Sequence, residues 1–172
     1  EVYADVLYQI GSLEAICRAE GLKLQHVKVH GALYNAAAKD LALATAIAKA
    51  IKAVDPALYM LCLGNSLMVE AAKAEGVPYV EEAFADRAYT AQGTLVPRKQ
   101  EGSVIHDPQQ VAQRVLQMVS EGQVRSLDGQ TVPITAQTVC VHGDTPGAVA
   151  MIQAIRKALD AAGVEVKAFG AF

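Results

Sequence analysis

Three short runs in this sequence gather side chains that can move protons or hold an anion. Gln25-His26-Val27-Lys28-Val29-His30-Gly31 alternates polar and apolar residues, and Cys140-Val141-His142-Gly143-Asp144-Thr145-Pro146 sets a histidine and a carboxylate two residues apart. Between them, Glu82 and Asp86 stand four residues apart, and Arg87 follows directly. Imidazole is the side chain whose charge changes near neutral pH, and a carboxylate beside it orients it, so general acid–base chemistry is what these types offer. Lysine and arginine add groups that hold a carboxylate or stabilise a developing oxyanion.

A two-residue period puts His26, Lys28 and His30 on one face of a strand and Val27 and Val29 on the other. A lysine inside a buried parallel sheet is costly without an anionic partner or a ligand. Lys28 and His30 are therefore candidates, the alternative being that both face solvent on an edge strand; His26 reads as a surface or packing histidine. His142 and Asp144 share a face, Gly143 lets the backbone come close, and a helix starting after Thr145 turns free N–H groups toward the same spot. That arrangement binds an anion or holds a general base. Its alternative makes Asp144 or Thr145 a plain cap and His142 a hydrogen-bonded core residue. Glu82 and Asp86 lie on one pleat face, and Arg87 is either a substrate clamp held by Asp86 or half of a structural ion pair. Arg98 and Lys99 read as a solvated basic pair. HxH, HExxH and DxH motifs are absent, as are GxSxG, Walker and GxGxxG sequences, and the question of a metal stays open.

Segments of helical and strand character alternate around these residues. Leu43, Ile47, Ile51 and Val54 recur at three and four residues, which predicts one amphipathic helix over 35–54. Val111, Val115, Met118 and Val119 predict a second over 108–120, opened by Asp107 ahead of Pro108 with Gln110 completing a box-like pattern. A third is expected from Thr145 and Pro146, carrying Val149, Ile152, Ile155 and Leu159. Shorter helices fit 65–75 and 2–20. Strands are expected at 25–29, 58–63, 78–84, 138–141 and 163–169, and their alternation with helices predicts parallel βαβ units. Gly21, Gly76 and Gly163 each close a helix in the left-handed conformation ahead of a strand. The repeat predicts an α/β fold, a parallel β/α barrel, in one domain over 1–172. Asp128-Gly129 predicts a tight hairpin over 123–133 that decorates the barrel. The aperiodic stretch 85–104 is long for a connection and reads as functional. In parallel β/α folds the site lies at the C-terminal strand ends, where His30, Asp86 and His142 fall.

Composition narrows the remaining classes. The chain has 172 residues, 52% hydrophobic and 19% charged, with a formal charge of −3. That length supports a sizeable core without staples. Scattered Lys and Arg argue against a nucleic-acid partner. The sequence shows neither an apolar run of membrane-spanning length nor a signal segment, so membrane association is not expected. Cys17, Cys62 and Cys140 lie far apart in apolar stretches, which predicts reduced thiols and a cytoplasmic location.

The runs 27–35 (Val-Lys-Val-His-Gly-Ala-Leu-Tyr-Asn), 82–89 (Glu-Ala-Phe-Ala-Asp-Arg-Ala-Tyr), 93–98 (Gly-Thr-Leu-Val-Pro-Arg) and 140–146 resemble, in order, those of the LamB/YcsF family, the A component of prokaryotic ATP-dependent 5-oxoprolinase. The resemblance spans almost the whole chain. Val29 stands where the family usually has proline, and family members carry about a further third of sequence upstream, so the barrel is expected to lack its N-terminal strands. The resemblance implies a glycoside hydrolase/deacetylase-like barrel that opens the lactam of 5-oxo-L-proline to L-glutamate, with ATP as co-substrate and two other subunits (B and C) as partners. A homo-oligomer is compatible with it. On this reading Lys28, His30, Asp86 and His142 are the catalytic candidates, and Glu82, Arg87, Asp144, Tyr34 and Asn35 the substrate-binding ones. The alternatives are a non-catalytic component that presents substrate to an ATP-binding partner, and a metal-dependent amidase or deacetylase.

Overall fold

The structure, a computed structural model, describes residues 1–144 and 146–168. The capping role expected of Thr145 and the end of the expected last strand at Phe169 lie outside them. The chain forms two compact units, 1–81 and 82–172. Its strands are joined in parallel pairs and alternate with helices, which is an α/β fold.

In the first unit, helix α1 (Val2–Ala19) leads to the short strand β1 (His26–Val27), helices α2 (Gly31–Ala37) and α3 (Leu41–Val54), strand β2 (Tyr59–Leu63) and helix α4 (Leu67–Glu75). β1 and β2 are parallel, with His26 opposite Tyr59 and Val27 opposite Met60. Helix α3 packs against α1 and α4, and its Ala44, Ile47, Ala48 and Ile51 are all fully buried. Alanine at two of these four positions brings the helices close while keeping helix propensity high.

Two expectations change here. The helix expected over 35–54 is two helices, because the Asp40 carboxylate accepts the N–H groups of Ala42 at 2.9 Å and Leu43 at 3.1 Å and so starts a new one. The strand expected over 25–29 is only two residues long, and Lys28–His30 form the lead into α2. The glycine closures hold. Gly76 caps α4 at φ 66°, and Gly21 follows α1 at φ 70°, a region from which a Cβ is largely excluded.

The second unit contains most of β3 (Tyr79–Phe84), the loop 85–104, helix α5 (Pro108–Glu121), the hairpin β4 (Gln123–Arg125) and β5 (Thr131–Pro133), strand β6 (Thr138–Cys140) and helix α6 (Ala148–Ala161). Asp107 caps α5 through the Gln110 N–H, with Pro108 at the first turn as expected. Helices α5 and α6 pack on each other, and Val111, Val115, Met151, Ile155 and Leu159 form their common core with Ala85 at the end of β3.

Helix α6 starts at Ala148, behind Gly147 at φ 85°, rather than at Pro146. Its buried face is Ala148, Met151, Ile155 and Leu159, while Val149 is 70% and Ile152 51% exposed. A strict three-residue spacing drifts off the 3.6-residue period, so Val149 and Ile152 rotate away from the core. Residues 163–168 form no strand; Gly163 does take the left-handed conformation, at φ 71°. The expected hairpin is present, its strands joined through a Ser126–Gln130 loop in which Gly129 has φ 84°.

Candidate functional site

The site of the second unit follows from strand register. β3 and β6 run parallel with Glu82 opposite Thr138 and Phe84 opposite Cys140, and the Ala85 N–H continues the ladder to the Cys140 carbonyl at 3.0 Å. Two residues past that last pair, at the C-terminal ends of both strands, Asp86 and His142 meet. The imidazole Nδ1 lies 2.9 Å from each carboxylate oxygen. An ionised carboxylate only accepts, so the proton sits on Nδ1 and the lone pair on Nε2. The carboxylate is 1% exposed and the imidazole 20%, which leaves one edge of the ring open to a reactant. Phe84 stacks on that ring, centroids 5.6 Å apart and planes at 23°, and fixes its orientation from the side. A buried carboxylate that sets the tautomer of a partly open imidazole is the arrangement of a general base and its orienting partner.

The loop 85–104 is held by its own polar groups. Ile105 N–H donates to the Asp86 carbonyl at 2.9 Å, Ala88 N–H to that of Ser103 at 2.9 Å, and Val96 N–H to that of Ala88 at 3.0 Å. The Arg87 guanidinium, 5% exposed, donates from Nε to the Ser103 carbonyl at 3.3 Å and from Nη2 to that of Val96. Arg87 thus cross-links the two limbs of its own loop. Burial and the nearby Arg98 charge push its pKa down, while Asp86 and Tyr89 oppose that shift.

Tyr89 is fully buried, its hydroxyl oxygen accepting the Phe84 N–H at 2.9 Å, and burial drives its phenol pKa up. Arg114, on α5, reaches the loop from behind: Nη2 donates to the Arg87 carbonyl at 2.8 Å and Nη1 to the Arg125 carbonyl at 3.2 Å. Glu82 is 3% exposed. Asp144 is 76% exposed on its side chain and lies 4.0 Å from Arg98, a solvated pair of little energetic weight. Lys99 is exposed.

The first unit brings other candidates together. Lys28, half-buried, places its ammonium 5.8 Å from the ring centroid of Tyr34, itself 3% exposed. This cation–π contact supplies electrostatic compensation that a partly buried lysine needs. His30 is exposed at the start of α2, and Asn35 is exposed with its amide donating to the Gly31 carbonyl at 2.8 Å. An open cavity of about 480 Å³ beside them is lined by Val6, Ile10, Leu13, Lys28, His30 and Leu33.

Phe84, Tyr89, Ser103 and Arg114 received no role from the sequence. For Arg114 a signal was present: it falls three residues after Val111 and four before Met118, a charge on the edge of an apolar stripe. Among the described residues no three His, Cys, Asp or Glu side chains cluster closely enough to hold a metal ion, and no helix is long and apolar enough to cross a membrane.

Known proteins share this chain's sequence and fold. It is 48% identical over 169 residues to a protein of Pseudomonas syringae pv. tomato, the third 5-oxoprolinase A component of that organism by name, covering 98% of this chain and 66% of the relative. It is 53% identical over 169 residues to the 5-oxoprolinase A component of Thermus thermophilus, covering 98% and 68%. A solved structure described as the lactam utilization protein from another strain of Thermus thermophilus superposes with a TM-score of 0.89 at 51% identity, over 98% of this chain and 67% of that one. The chain thus spans about two thirds of the length of the curated relatives it matches. The LamB/YcsF family model matches all of residues 1–172, and with about half of all positions identical to relatives across nearly the full chain, this protein belongs to the LamB/YcsF family.

Proposed function

We propose that this chain belongs to the A component of an ATP-dependent 5-oxoprolinase and contributes the acid–base machinery that opens the lactam of 5-oxo-L-proline to L-glutamate. The observation that carries the reading is the Asp86–His142 pair at the ends of two paired parallel strands, together with the names of the relatives. In the full-length protein these strands belong to a β/α barrel of glycoside hydrolase/deacetylase type, acting in the cytoplasm with two partner subunits.

A lactam is a resonance-stabilised amide, so water adds only once the carbonyl oxygen is activated. ATP supplies that activation by phosphorylating the oxygen, with ADP as leaving product. His142 Nε2 then takes a proton from the attacking water, and Asp86 stabilises the imidazolium that forms. The ring C–N bond breaks as the protonated histidine returns the proton to nitrogen. The resulting acyl phosphate gives glutamate and phosphate on addition of a second water. Lys28 and His30 serve as further catalytic groups, Lys28 at the phosphorylated oxygen, and Arg87, Glu82, Asp144, Tyr34 and Asn35 form the substrate-binding set.

The test is glutamate release from 5-oxoproline by the full-length protein mixed with its two partner subunits, with and without ATP. Release that needs ATP and all three proteins, and that is lost in H142A, supports the reading. Full release by H142A makes this chain a substrate-presenting component. Lactam opening by this protein alone, without ATP and abolished by a chelator, makes it a metal-dependent amidase.

A further inference from the structure

The hairpin at 123–133, expected from the sequence as a decoration, is bound to the loop that carries Asp86. The Leu127 N–H donates to the Tyr89 carbonyl at 2.8 Å, a Cβ at Gly102 would come within 3.0 Å of Leu127 Cδ1, and one at Gly93 within 3.4 Å of Val132 Cγ1. Loop and hairpin therefore touch at several points, and the glycines are what let them. Near Asp86, however, the two are separated by a cavity of about 700 Å³ whose walls include Val104, Ile105, Gln110, Gln113, Arg114 and Arg125. Packing cannot hold the backbone across that space. The Arg114 guanidinium spans it, one nitrogen on the carbonyl of Arg87 and another on that of Arg125. Arg114 Nε is buried without a hydrogen-bond partner. Leaving a buried donor unmet is costly, so the side chain is held in this pose by its two outer contacts rather than by full satisfaction of its own polar groups.

We propose that Arg114 is a positioning residue for the Asp86–His142 pair: by tying the peptide after Asp86 to the hairpin, it fixes the carboxylate that sets the His142 tautomer. The inference rests on the function proposed above for that pair. A guanidinium is needed because its rigid fork serves two carbonyls at once, which a single ammonium does not. Displacing a catalytic group by about 1 Å costs up to roughly 100-fold in rate, so the effect belongs in kcat.

The experiment uses the full-length protein with its partner subunits and the variants R114K and R114Q, with Q113A, one residue away on the exposed side of α5, as control. Two quantities are read: kcat and KM for 5-oxoproline, and the low-field proton NMR resonance of the His142 Nδ1–H. For R114K, kcat falls about tenfold with KM within about twofold of wild type, and the resonance broadens or moves upfield. R114Q, if folded, shows a larger loss; if it does not fold, R114K decides. Q113A matches wild type. An R114K protein with wild-type kcat and an unchanged resonance, or one altered only in KM, overturns the proposal. If wild-type complex does not turn over 5-oxoproline, the functional reading fails, and the resonance of R114K still decides whether Arg114 positions the pair.

Discussion

The hydroxyl oxygen of Tyr89 accepts the backbone N–H of Phe84 at 2.9 Å, folding the start of the long loop back onto the strand from which it leaves. Phe84 is the residue whose ring stacks on His142, so this bond ties a buried phenol to the wall of the site. Burial raises the Tyr89 pKa above its ordinary value. A phenol whose pKa is raised on folding contributes stability that is complete below the unfolded value, near 10, and is lost as pH rises above it. Y89F is therefore expected to lower stability at neutral pH by about 1–3 kcal/mol, through loss of the acceptor. Its stability curve should also fall less steeply than wild type above about pH 10. Urea unfolding from about pH 7 to 11 reads both; parallel curves would remove Tyr89 ionisation from the alkaline response.

Replacing Asp86 by Asn keeps the shape of the side chain but offers an amide where Nδ1–H needs an acceptor, and so favours the wrong imidazole tautomer. Turnover should drop by about 10³–10⁴-fold while the protein remains folded. Glutamate release and circular dichroism on the same preparation test this. Turnover at the wild-type rate would take Asp86 out of the mechanism.

For Arg87 the structure favours cross-linking of the loop, since its donors meet the Val96 and Ser103 carbonyls. R87Q should cost about 1.5–3 kcal/mol, the range for hydrogen bonds to a charged group. Amide hydrogen exchange across 88–103 should speed up, with KM for 5-oxoproline changed little. A large rise in KM with exchange unaltered would place the guanidinium on the substrate carboxylate instead.

The cap at Asp107 holds the end of α5 where the long loop enters the helix. D107A should destabilise by about 1 kcal/mol, a typical value for loss of an N-cap side chain. Thermal unfolding of D107A beside a P108A variant, which keeps the cap, measures it; equal melting temperatures would mean that the Gln110 N–H finds another acceptor.

Much of the local structure was legible in the sequence because its causes are local. Asp107-Pro108 marks a helix start, Gly76 and Gly21 are glycines where the backbone needs positive φ, and Val111, Val115 and Met118 share a face through the helical period. Where two local signals competed, the reading failed. Lys39 and Asp40 fit the polar face of one long helix, and only the bonds from Ala42 and Leu43 to Asp40 show that a new helix begins there. Val149 and Ile152 fit a three-residue repeat, yet the face that packs on α5 is the one through Met151 and Ile155.

The residue types at the strand ends, and through long shared motifs the family, could be read along the chain alone. Their pairing could not. Nothing local distinguishes Asp86 from Glu82 or Asp144 as the partner of His142, since all three carboxylates lie on plausible strand or cap positions. The parallel register of Phe84 with Cys140 makes the choice, because residues equally far beyond a paired position arrive side by side. The same is true of Arg114, whose two carbonyl partners lie 27 and 11 residues away. Contacts over such separations are set by how helix, loop and hairpin pack, and no periodicity along the chain encodes them.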